Sequence, residues 1–159
     1  MSTNSFIGIK TPDNKIKGIY CHWDGYIENN GLVLQKYYNN EDKINQLIDL
    51  GSISSLGIEI GTKTDFNNPG NTDLNTVAYH RDRGEDLEIQ IYDNPKKLHN
   101  YGCYEYAYIY DPDEKKWLLF DLDTDTYKDL EPIINNYIIN NKHGINDYVE
   151  RLSKLKPMK

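Results

Sequence analysis

The sequence has little of what usually advertises a function. It holds two cysteines, Cys21 and Cys103, in 159 residues. That is too few for a disulfide scaffold, so a reduced cytosolic state is expected. No apolar run nears the roughly 18 residues a membrane helix needs, so no membrane association is expected. Met1-Ser2-Thr3-Asn4-Ser5 carries neither a basic stretch nor a long apolar one, and no signal peptide is expected. Positive charge is also short. Lys and Arg number 18 against 25 Asp and Glu, for a net charge of -7 and a pI of about 5.0. Phosphate contacts depend on Lys and Arg, which argues against direct nucleic-acid binding. The acidity is open to three readings: plain solubility, a surface complementary to a basic protein, or imitation of nucleic acid. P-loop, GxGxxG, HExxH and paired CxxC patterns are missing, and no cofactor is expected.

What is present suits a folded domain. Hydrophobic residues make up 38% and aromatics 12%, enough to bury a core, and the length fits a single domain over residues 1–159. Usage is skewed, with 18 Asn, 18 Ile and 15 Lys but only 2 Ala and 3 Arg. Where lysine is the common cation, two arginines two positions apart, Arg81 and Arg83, mark a place for the planar guanidinium fork.

Residues 6–10 and 16–23 read as an antiparallel hairpin across the turn-forming 11–15. Helices are expected over 30–38 and 41–50, with Asn40 as cap and Gly51 as terminator. Residues 51–57 read as an ordered turn and 61–75 as a long loop. Strands are expected over 76–80 and 87–92, the latter with Leu87, Ile89 and Ile91 facing one way. Residues 103–110 and 115–121 read as a second hairpin, with Tyr104, Tyr106, Tyr108 and Tyr110 on one face. Helices at 127–140 and from Ile145 to Leu155 follow. The order predicts an α+β fold: an antiparallel sheet with two helical pairs packed against it.

Two motifs draw attention, Cys21-His22-Trp23-Asp24-Gly25-Tyr26 and Tyr79-His80-Arg81-Asp82-Arg83-Gly84-Glu85. Each holds a His-x-Asp pair, His22/Asp24 and His80/Asp82. In a strand, positions i and i+2 share a face, so each pair presents an imidazole beside a carboxylate. Two such pairs side by side would form a mixed nitrogen–oxygen metal site or a base with its orienting carboxylate. Arg81 and Arg83 on one extended face, beside Trp23, Tyr26 or Tyr79, would suit a phosphate and a stacked base. Sheet hydrogen bonds for the histidines and salt bridges for the arginines are the ordinary alternatives. Asp121-Leu122-Asp123-Thr124-Asp125 opens like a calcium loop, but Thr126 and Pro132 stand where glycine and glutamate are needed. It reads as a strand end followed by a helix cap. Cys21 and His22 are adjacent and point apart in a strand, which leaves nucleophilic catalysis poorly supported.

The strings at 18–26, 50–57 and 79–85 together resemble a family of small bacteriophage and prophage proteins. The resemblance covers roughly residues 16–90. It carries over no catalytic residues, because no activity is established for that family. What it implies is a setting: an accessory protein in the host cytoplasm, of a kind that binds and blocks a host component, defence systems included. The leading expectation is therefore a non-enzymatic binding protein. Its partner is either a nucleotide-like small molecule held by His22, Trp23, Asp24, Tyr26, Tyr79, His80, Arg81, Asp82 and Arg83, or a host protein met through the acidic surface. The rivals are a metal-dependent hydrolase of a nucleotide or phosphoester using His22, Asp24, His80 and Asp82, and a structural role, with homo-oligomerisation open.

Overall fold

The computed structural model describes residues 3–100 and 104–155. The fold is α+β. Strands β1 (Ser5–Lys10), β2 (Ile16–Cys21), β3 (Ile53–Ser55), β4 (Val77–Ala78), β5 (Gln90–Tyr92), β6 (Tyr106–Asp111), β7 (Lys116–Asp121) and β8 (Thr126–Asp129) join in one sheet. Their order is β4-β3-β2-β1-β6-β7-β8, with β5 also paired to β2. Most pairings are antiparallel. The exceptions are β1 with β6 and β2 with β3, which run parallel.

The expected first hairpin forms, with Thr11 N donating to Lys15 O at 2.9 Å and Asn14 in a left-handed conformation. Strand alternation then sorts side chains to two faces. Ile7, Ile9, Ile19, Cys21, Tyr108, Tyr110, Trp117 and Leu119 face the helices. Phe6, Ile16, Ala107, Ile109 and Phe120 face the other way, under Tyr92, Leu98 and Tyr104. On that second face the Phe6 ring lies over Gly8 and Gly18. A Cβ on Gly18 would sit 2.4 Å from Phe6 Cζ and 2.5 Å from Ile7 O, so the strand needs glycine there.

Helices α1 (Leu32–Tyr37), α2 (Glu41–Asp49), α3 (Tyr79–Arg83), α4 (Leu130–Ile139) and α5 (Ile145–Ser153) complete the chain, with a π-helical turn over Ile27–Gly31 leading into α1. For α2, the Asn40 side chain accepts from Lys43 N at 2.7 Å. Gly51, at φ +76, follows its end, the usual place for a left-handed glycine. Packing joins α1 to α4 and α4 to α5, while α2 lies over β1 and β2. Leu130 and Ile134 of α4 and Ile145 and Leu152 of α5 are buried in the main core.

Six expectations are corrected. Residues 53–55 are a strand, because their backbone pairs with β2 and β4. The strand expected over 76–80 ends at Ala78, and residues 79–83 turn helical. In β5 the pairing of Ile16 with Tyr92 sets the parity: Tyr92 is buried at 4% exposure, while Leu87 and Ile91 are 49% and 62% exposed. The helix expected from 127 begins at Leu130, since residues 126–129 pair with β7 as β8. The acidic segment at 121–125 is thus a hairpin turn and not a helix cap. Asp121 accepts from Asp123 N and Thr124 N at 2.9 and 3.3 Å. Of the tyrosine series, 106, 108 and 110 share the helix-side face, whereas Tyr104 precedes β6 and packs on Phe6 across the sheet. Cys103 and the start of the strand expected at 103 lie outside the described residues.

Candidate functional site

The first motif leaves β2 and turns sharply. His22 N and Trp23 N donate to Ile53 O and Ser54 O of β3, both at 3.0 Å. Asp24, three residues past the end of β2, then takes φ 60, a left-handed conformation. Gly25 N donates to Thr3 O at 2.8 Å. A Cβ on Gly25 would lie 2.6 Å from Asn4 O, so the close backbone approach requires glycine. Two buried side chains brace the same turn. Tyr108 Oη donates to Gly25 O at 2.6 Å, and Asn30 Nδ2 donates to Trp23 O at 3.2 Å. His22 Nδ1 and Tyr20 Oη are 2.6 Å apart, and the His22 ring meets Trp23 edge-on at 4.6 Å. His22 and Asp24 are not an i, i+2 strand pair, because β2 stops at Cys21. Burial pushes the Cys21 thiol up to about 12, which keeps it protonated and inert.

The second motif is the helical turn α3, which Gly84 closes at φ 75. In a helix, positions i and i+2 point apart, so the shared faces expected for His80/Asp82 and Arg81/Arg83 do not form. Arg81 points inward, with its side chain 17% exposed. Its Nε and Nη2 donate to the Asp82 carboxylate at 2.9 and 3.1 Å. Nη2 also reaches Thr76 O at 2.6 Å, and Nη1 reaches Ile60 O at 3.0 Å. Asp82 is buried and accepts from Ala78 N at 2.7 Å and Thr64 N at 3.0 Å. Burial acts to raise its pKa, but the Arg81 hydrogen bond and these two backbone donors outweigh burial and hold it below the ordinary value. Arg83 is more open. It pairs with Glu85, and its guanidinium lies 4.2 Å from the centre of the Phe66 ring and 5.1 Å from that of Tyr79. His80 Nδ1 is 2.6 Å from Glu85 O.

The second motif thus clamps the long loop. Asp82 holds Thr64, Arg81 holds residues 60 and 76, and Arg83 covers Phe66. Strand β3 lies between the two motifs, pairing with β2 on one side and β4 on the other. Beside the second motif is a cleft of about 520 Å³ lined by Tyr20, Ser52, Tyr79, Gly84, Glu85, Asp86 and Glu88; no residue of the first motif lines it. Carboxylates dominate its polar lining, so a phosphate entering it would meet repulsion. Among the described residues no three His, Cys, Asp or Glu side chains gather closely enough to hold a metal ion. His22, Asp24, His80 and Asp82 form no such group. No helix among the described residues is long and apolar enough to cross a membrane.

Sequence reasoning missed the bracing role of Asn30 and Tyr108. The salt bridges it kept as the alternative for the arginines do form, Arg81 with Asp82 and Arg83 with Glu85. Not foreseen was that Arg81 and Asp82 turn inward on a helical turn. For that turn a signal was available: Gly84 directly after Tyr79-His80-Arg81-Asp82-Arg83 is the pattern of a helical turn with its glycine terminator. No protein family, curated protein or solved structure matches the chain significantly.

Proposed function

We propose that this chain is a non-catalytic binding protein that covers a basic surface of a host protein, in the accessory-protein setting implied by its resemblance to phage and prophage proteins. The observation that carries this reading is the engagement of Arg81. All three of its guanidinium nitrogens are satisfied by Asp82 and by backbone carbonyls. A phosphate ligand would have to displace those partners and leave the buried Asp82 carboxylate unpaired, which is strongly unfavourable. Arg83 alone, already paired with Glu85, is a weak basis for a nucleotide site. The net charge of -7 instead favours association with a positively charged protein.

Native mass spectrometry of the protein purified at low salt from its bacterial host, without chelator, tests this. The expected result is a complex with a basic polypeptide that dissociates as ionic strength rises. A retained mass of a few hundred daltons would instead favour a nucleotide-like cargo. A chelator-sensitive metal increment would favour the hydrolase.

A further inference from the structure

We infer that the turn at residues 22–26 is the tip that contacts the basic partner, with Trp23 and Tyr26 as anchors and Asp24 as the charged element between them. This rests on the reading of the chain as a binder of basic proteins, and it names where that binding is centred.

The backbone of the turn is fastened at most of its polar atoms. Trp23 N, Asp24 O and Gly25 N bond to Ser54 O, Asn30 N and Thr3 O. Trp23 O and Gly25 O accept from the buried Asn30 and Tyr108 side chains. Asn30 is 2% exposed and Tyr108 0%. Buried polar groups carry a desolvation penalty unless bonded, and here two of them are satisfied by holding this one turn. The side chains the turn displays are treated oppositely. Trp23 is 44% exposed and Tyr26 40%, and Asp24 is exposed. A turn needed only for chain reversal has no use for two exposed aromatics. Tryptophan and tyrosine on a rigid frame are the residues that dominate interface energies, because they bury much area with little lost entropy. The contact of His22 with the indole, itself backed by Tyr20, adds to that rigidity.

The surrounding charge selects the partner. The Tyr106 ring centre is 6.5 Å from that of Tyr26. Glu28 stands two residues after Tyr26, and Glu105 is adjacent to Tyr106 in the chain. Helix α5 packs against the Ile27–Gly31 turn, and its cation, Arg151, is bonded to Asp73 at 2.8 Å. Aromatic rings beside carboxylates that form no ion pair among the described residues fit Lys and Arg side chains on a protein surface, through cation–π and ionic contact together.

Selection of a phage-displayed library of random linear peptides on the intact protein tests the inference. Enriched peptides are expected to be rich in Arg and Lys. Synthesised singly, they should bind Trp23→Ala at least about tenfold more weakly than wild type, and Asp24→Asn about threefold more weakly. Asp113→Asn, at the opposite end of the sheet, should bind as wild type. Asparagine tolerates the left-handed conformation, so Asp24→Asn keeps the backbone intact, and circular dichroism verifies each fold. Basic peptides that bind Trp23→Ala, Tyr26→Ala and Asp24→Asn as tightly as wild type would overturn the turn as contact site without touching the acidic-surface reading. Enrichment of acidic or neutral peptides, or no enrichment, would overturn both.

Discussion

At the scale of single residues, Arg81 and Asp82 behave as one unit. Replacing Arg81 with methionine keeps much of the volume but strands a buried carboxylate. Arg81→Met is expected to lower stability by about 3 kcal/mol, read from urea denaturation, and to speed hydrogen exchange at Thr64 N. The acid response follows from the same pair. Asp82 has a depressed pKa in the folded protein, so its contribution is fully present above the unfolded carboxylate value of about 3.9. That contribution is lost as pH falls through the folded value. Asp82→Asn should therefore flatten the acid limb of a stability-versus-pH curve, and an unchanged limb would show that other carboxylates govern it. The residue types at this site were legible, since scarce arginine did mark a place where its fork is used. Its direction was not. Whether a guanidinium faces a ligand or a neighbouring loop depends on backbone carbonyls at residues 60 and 76, which no local pattern reports.

At the scale of elements, the strongest sequence signals were caps, turns and alternation. Asn40 and Gly51 bound α2 as their chemistry requires. Asn40→Ala should cost about 1 kcal/mol, seen as a lower thermal midpoint, because Lys43 N loses its acceptor. Gly18→Ala is expected to cost about 2–3 kcal/mol, since the added Cβ meets backbone atoms of Ile7 and Gly8 as well as the Phe6 ring. A midpoint unchanged by Gly18→Ala would mean that β1 and β2 can separate at little cost. The short strands were hidden for a physical reason. Residues 53–55 and 126–129 are extended because a neighbouring edge offers hydrogen bonds, and such an offer is absent from their own side chains. The misjudged face of β5 has the same origin: the partner's register decides parity, whatever apolar alternation the segment carries.

At the scale of the whole molecule, α+β class and a sheet covered by helices followed from the sequence, because amphipathic periods are repeated many times along it. The parallel pairing of β1 with β6 did not follow, since nothing local joins residues so far apart. Nor was it visible that β3 would stand between the two motifs. The acidic balance was plain from the start, and it has most bearing on function when set beside a rigid, aromatic turn.

The parallel pairing also bears on how the chain is made. Ser5 lies opposite Tyr106 and Ile9 opposite Tyr110, so β1 meets its second neighbour only after about a hundred further residues have been added. At roughly 5–20 residues per second, the nascent hairpin waits about 5–20 s on the ribosome with one edge of an apolar strand open. During that interval the segment Ser5–Lys10 is the part of the chain most exposed to pairing with another copy of itself. Slowing elongation between residues 22 and 105 should therefore raise the share of aggregated product.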